Sequence, residues 1–151
     1  MSYPRAQKQI LGMLKDIPNG PGKTVKVHEG QATDEYIAKI IEGTDQVDPF
    51  IAVNFGTRIK PGGRINGIVG ARADSYIVTI VVHAIASTQG GANNVSEEVW
   101  NRLIGFTPEN CGEITPALYG GVGEISSAGS PTRYSAVQAF TMIINSDLLP
   151  L

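Results

Sequence analysis

The 151-residue chain has a single cysteine, Cys111, so no disulfide can form within it. That suits a protein made in a reducing compartment. Histidine is almost as scarce, with His28 and His83 alone. Two histidines and one cysteine, without carboxylates at ligand spacing, make no metal signature. Cys111 has no histidine near it in sequence to activate it as a nucleophile. No apolar run approaches the roughly 20 residues that cross a bilayer. Met1-Ser-Tyr-Pro-Arg5 carries no apolar signal core, so a soluble product of the cytoplasm is expected. Charged residues make up only 17%, which argues against long solvated helices. The net charge of −2 gives the whole chain no basic signature for nucleic acid.

Glycine and proline are plentiful instead, at 18 and 9 residues, and suit strands joined by turns. The length predicts one domain over residues 1–151. A chain of this size buries roughly 70% of the surface its unfolded form exposes, enough for a core without staples. The element it is organised around is Tyr76-Ile-Val-Thr-Ile-Val-Val-His-Ala-Ile-Ala-Ser87, the longest strand-forming run. Its even positions, Tyr76 to Ala86, are all apolar. Its odd positions, Ile77, Thr79, Val81, His83 and Ile85, are mixed but mostly apolar. An antiparallel strand wet on one side shows a cleaner polar face. A second covering element is therefore expected, from this chain or a neighbouring subunit. Thr79 and His83 are placed on the face nearer that interface, with Val78, Ile80 and Val82 facing the chain's own helices.

Around this strand the pattern reads as an α+β domain with a mostly antiparallel sheet. Tyr3, Ala6, Ile10, Met13, Leu14 and Ile17 recur at helical spacing, with Ser2 available as a cap and Pro4 tolerated in the first turn. Pro18-Asn-Gly-Pro-Gly22 ends that helix. Thr24-Val-Lys-Val-His28 alternates as a short strand, at an edge because of Lys26. Residues 32–41 suit a short helix or a loop over the sheet equally. Asp48-Pro49 opens the strand Phe50–Phe55, since the residue before proline avoids helix. Gln89–Asn94 reads as a linker. Asn94 and Glu97 then resemble a capping box for a second helix, about Val95–Phe106, packed on one face of the sheet. Val95, Val99, Leu103 and Phe106 form its stripe, Trp100 and Ile104 widen it, and Pro108 ends it. A short extended piece at Thr115–Tyr119, a flexible Gly120–Gly123, a turn at Gly129-Ser-Pro131 and a last strand, Arg133–Asn145, complete the order.

Local motifs give no reason to propose an enzyme. Gly20-Pro-Gly-Lys-Thr24 resembles part of a phosphate loop, but the pattern needs glycine at position 17, where Ile17 stands, and it follows a helix. Gly120-Gly-Val-Gly123 lacks the spacing of a dinucleotide fingerprint. Glu97-Glu98 suits a helix N-terminus. No catalytic, cofactor-binding or metal residues are assigned, and no cofactor is expected.

The projecting loop, residues 56–72, stands above this background. Its only charges, Arg58, Lys60, Arg64 and Arg72, are all positive, and Pro61-Gly62 suits a type II turn on a long hairpin. Loops this long are usually functional or disordered. These four residues are candidate contacts to an acidic partner or to nucleic-acid phosphates, the alternative being a solvated loop with no role. With no aromatics between them for base stacking, any DNA contact is to the backbone without sequence preference. The cations gather before Asp74 and acids dominate after it, a split that can orient one subunit against the next. The tail, residues 146–151, holds Leu148, Leu149 and Leu151, which are expected to dock on the core or on a partner subunit.

This order resembles the tail terminator proteins of long-tailed bacteriophages. The likeness is carried by Asp48-Pro-Phe-Ile-Ala-Val53, the strand Tyr76–Ala86, the helix Val95–Phe106 and Pro131-Thr-Arg-Tyr-Ser-Ala-Val-Gln-Ala-Phe140, across nearly the whole chain. The resemblance implies a structural virion protein and no enzyme. It implies a homo-oligomeric ring, typically a hexamer, at the head-proximal end of the tail tube. Such a ring ends tube polymerisation, meets the tail tube protein on one side and the head connector or stopper on the other, and passes genome DNA through its lumen. The implied location is the virion tail after synthesis in the host cytoplasm, with no membrane partner. Alternatives are another connector or tail tube component, or a small ligand-binding domain or enzyme.

Overall fold

The structure is a computed structural model, and it describes residues 2–19, 21–30, 48–57, 76–117, 125–128 and 133–144. Segment 32–41, the glycine turns at 120–123 and 129–131, the basic residues Arg58, Lys60, Arg64 and Arg72, and the leucines Leu148, Leu149 and Leu151 lie outside the described residues.

The described residues form an α+β fold in two layers, with helices on one face of a mostly antiparallel sheet. Helix α1 spans Ser2–Leu14, so Ser2 lies within it. Its stripe is the expected one, because Ala6, Ile10, Leu14 and the following Ile17 are fully or almost fully buried. Strands β1 (Lys26–Glu29), β2 (Phe50–Phe55), β3 (Tyr76–Ala86), β4 (Thr115–Pro116), β5 (Ile125–Ala128) and β6 (Arg133–Ile144) make one sheet. Its order is β1-β2-β3-β6-β4, with β5 also on β6. β1 runs parallel to β2, and every other described pair is antiparallel. Lys26 is exposed on edge strand β1, where a charge discourages pairing with another chain. β3 sits at the centre and pairs along its full length with β6, from Tyr76 opposite Ile144 to Ala86 opposite Tyr134.

Strand period decides which residues face the helices. Val78, Ile80, Val82, Ala84 and Ala86 of β3 are all buried, and so are Ile51 and Val53 of β2 and Phe140, Met142 and Ile144 of β6. They join the α1 stripe and the second helix in one apolar cluster. Each such Ile, Leu or Phe side chain contributes about 1.5–3 kcal/mol relative to exposure. The expectation that Val78, Ile80 and Val82 face the chain's own helices is met.

Helix α2 corrects two readings of the sequence. It spans Gln89–Leu103, so Gln89–Asn94 is its first turns and not a linker. Its N-cap is Thr88, whose extended backbone lets Oγ1 accept from the Gly91 amide at 3.0 Å. Asn94 lies exposed inside the helix and caps nothing. Two glycines usually argue against helix, but here Gly91 has a packing reason. A Cβ on it would stand 3.0 Å from Thr88 Oγ1 and 3.2 Å from the Ala86 Cβ. The bare backbone lets the helix start directly behind the end of β3. The helix stops at Leu103 rather than near Pro108, because Gly105 adopts φ +86° and turns the chain. Val95, Val99 and Leu103 are buried as expected. Phe106 lies beyond the helix, and Trp100 is 40% exposed, its ring tilted against Phe140 at 6.0 Å.

Polar groups join the elements. Arg102 of α2 donates to the carbonyls of Met13 and Asp16 at the end of α1. The Tyr3 hydroxyl donates to the Gly56 carbonyl after β2. The Gly56 amide donates to Thr79 O at 2.8 Å. The Gln9 amide oxygen accepts from the Glu109 amide at 2.9 Å.

Candidate interaction face

The side of the sheet away from α1 and α2 collects the odd residues of β3. Register extends that face across the strands. Ile77 stands opposite Ile143, Thr79 opposite Thr141, Val81 opposite Ala139 and His83 opposite Val137 on β6. On the other flank Ile85 stands opposite Phe50, His83 opposite Ala52 and Val81 opposite Asn54. Phe50, Ala52 and Ile85 are buried yet lie outside the helix-side cluster. The remainder, from Ile77 through His83 on β3 and Ser135 through Ile143 on β6, is half-buried. None of the described helices packs on this face.

Thr79 and His83, the two residues expected at a subunit interface, both lie here. Thr79 faces Thr141, and the Thr141 hydroxyl in turn shares a hydrogen bond of 3.2 Å with the Thr115 hydroxyl. His83 lies between Ala52 and Val137. Burial holds its imidazole below the ordinary histidine pKa, since desolvation penalises the charged ring. Nothing in the spacing of the two histidines marks the row that they share. His28 of β1 aligns with Ala52 of β2, and Ala52 aligns with His83. The two histidines of the chain therefore share one row with only alanine between them, their Cα atoms about 10 Å apart by strand spacing. The His28 ring meets Phe50 edge-on, with centroids 5.8 Å apart. Alternation in 24–28 indicated a strand, but the parallel register that brings His28 beside Ala52 is a tertiary result.

A shallow groove of about 250 Å³ opens at the far end of the face, where β6 closes. Ile77, Thr141 and Ile143 line it from the sheet, and Gly112, Glu113 and Thr115 line it from the segment alongside β6. That segment is pinned by the Gly112 amide, which donates to Ile143 O at 2.7 Å, and by the Ala117 amide, which donates to Ala139 O at 3.0 Å.

The face is apolar with scattered hydroxyls and a pair of imidazoles. Among the described residues no three His, Cys, Asp or Glu side chains gather to hold a metal ion. Cys111 is buried, and its thiol donates to the Glu109 carbonyl at 3.4 Å, which suits a structural thiol. No helix among the described residues is long and apolar enough to cross a membrane. Neither a scan against protein-family models nor a search of curated proteins finds a match for this chain.

Proposed function

We propose that this chain is a structural subunit of a long-tailed phage. In this proposal it assembles as a ring, typically a hexamer, that ends the head-proximal tip of the tail tube and joins it to the head connector, with DNA passing through the lumen. The observation that carries the proposal is the second sheet face. A ring subunit needs an apolar surface beyond its own core, and Ile77, Val81, Val137, Ala139 and Ile143 supply one opposite the helices. The order α1, β1, β2, β3, α2 and β6 supports this reading, with the short strands β4 and β5 standing between α2 and β6. Closing a ring also hides sheet edges that would otherwise pair with other chains.

A ligand-binding domain or an enzyme has less support. Ligand pockets span about 300–1,000 Å³ with converging polar groups. The groove of about 250 Å³ among the described residues is smaller, and its walls mix Ile77 and Ile143 with Thr115, Thr141 and Glu113. Another connector or tube component of the same virion would share the contact face, and assembly geometry separates it from a terminator. Negative-stain microscopy and solution mass of the purified protein test the proposal. Discrete rings of one thickness are expected. Stacked tubes would reassign the chain to the tube, and a persistent monomer, even with tail tubes present, would overturn the proposal.

A further inference from the structure

We infer that the subunits of the ring meet head to tail, with the flank of α2 that carries Trp100 on one copy seated on the second sheet face of the next, its indole over Val81 and Ala139. This rests on the ring reading above and names the surface that meets the sheet.

Symmetry is the first argument. A contact made by the same patch on both copies closes at two subunits, so a larger ring needs one patch that meets a different one. The second sheet face is one half of such a joint, and the other half lies elsewhere on the chain. Among the described residues Trp100 is the one exposed large hydrophobic side chain. It belongs to α2, on the side of the sheet opposite Val81 and Ala139. A subunit of two layers thus stacks the helix of each copy on the sheet of the next.

Shape is the second argument. The Trp100 ring lies against Phe140, and Phe140 stands opposite Ile80. One residue along each strand, Val81 and Ala139 pair on the second face. Trp100 and that pair therefore sit at nearly the same height along the strands. A rotation about an axis parallel to the strands keeps the height and carries the indole of one copy to Ala139 of the next. Ala139 is the smallest side chain of its row, between Val137 and Thr141, and leaves a dent for a flat ring. Val81 and Ala139 are half-buried and keep surface to bury. Tryptophan is among the residues enriched as anchors of such contacts.

Charge is the third argument. Glu97 is exposed one turn before Trp100, and the one cation of α2, Arg102, is turned to α1. No Asp or Glu occupies the strand positions of the second face. Its strand cations are Lys26, which Asp48 offsets at 3.9 Å, and Arg133. An acidic flank thus meets a face without acids in its strands, which favours this pairing over two like faces.

Sedimentation of the full-length chain tests this with two variants. Trp100→Lys spoils the helix flank, and Thr79→Lys spoils the sheet face. At a concentration where the native chain forms rings, each variant alone is expected to stay monomeric. Their equimolar mixture is expected to give dimers and nothing larger, because it holds one sound joint. Glu97→Lys leaves the Trp100 packing on Phe140 intact, and stands in if Trp100→Lys loses its helical circular dichroism. It is expected to weaken assembly by about tenfold or more. Rings formed by Trp100→Lys, unchanged assembly of Glu97→Lys, or a mixture that stays monomeric well above that concentration overturns the inference and leaves the ring reading standing. A native chain that stays monomeric with tail tubes present overturns the ring reading itself.

Discussion

The Arg102 guanidinium donates to the main-chain carbonyl of Met13 at 3.1 Å and to that of Asp16 at 3.2 Å, while its Nε lies 3.4 Å from Glu98 of its own helix. The last carbonyls of a helix have no intrahelical partner and carry the negative end of its dipole. One planar cation therefore caps α1 from α2 and fixes the angle between the two helices. Arg102→Leu is expected to cost about 1–3 kcal/mol in urea unfolding, the scale of charge-assisted hydrogen bonds. Lysine should recover little of it, because a single ammonium does not span both carbonyls. Glu98→Gln should cost under about 0.5 kcal/mol, as expected for an exposed i,i+4 pair.

The start of α2 separates two accounts of the same residues. With Thr88 as the cap, Thr88→Ala should destabilise by about 0.5–2 kcal/mol. Asn94→Ala should be neutral or stabilise by up to about 0.7 kcal/mol, because alanine is the better helix former in an exposed interior. A capping box at Asn94 would reverse that order, and thermal or denaturant unfolding of the two variants decides it.

Gly56 marks a close approach between β2 and β3. A Cβ there would stand 2.9 Å from the Thr79 carbonyl oxygen, which also accepts the Gly56 amide. Backbone cannot move aside as a long side chain can, so Gly56→Ala should cost about 1–3 kcal/mol. Loss of the Tyr3 contact to the Gly56 carbonyl in Tyr3→Phe should be milder, about 0.5–1.5 kcal/mol.

His83 predicts a pH dependence. Burial lowers its pKa in the folded state, so between that value and the unfolded one, near 6.5, the unfolded chain binds more protons. Stability is then fully present above the unfolded pKa and is lost as pH falls through the folded one. Denaturant midpoints taken from pH 7.5 downward to 5.5 should decline in the native chain and decline less in His83→Gln. An equal decline in both would remove His83 as the cause.

Thr79 and Ile80 are adjacent in sequence and point to opposite faces. Ile80 is fully buried under the helices. Ile80→Lys should cost more than about 4 kcal/mol, because it buries a charge and removes core volume. Thr79→Lys should leave the circular dichroism and unfolding midpoint nearly unchanged but block ring assembly. Rings that persist in Thr79→Lys would remove this face from the assembly contact.

Sequence alone determined much of the architecture. Apolar alternation located β3 to within one residue of its end, the proline of Asp48-Pro49 marked the start of β2, helical spacing found the α1 stripe, and the apolar odd positions of β3 marked a second face. Those signals are local, since a residue's burial is written in the spacing of its neighbours. β5 was missed because Ile125-Ser-Ser-Ala128 has too little apolar alternation to read as a strand, and its place depends on the free edge of β6. The start of α2 was missed because glycine looks like a linker until Ala86 and Thr88 are seen against Gly91. Only the tertiary structure decided what crosses the sheet. Strand order and register placed His28 beside Ala52 and His83, set Arg102 on the end of α1, and opened a groove where β6 ends. Each of these depends on the pairing of distant strands and helices, and pairing leaves no mark in the spacing of any single segment.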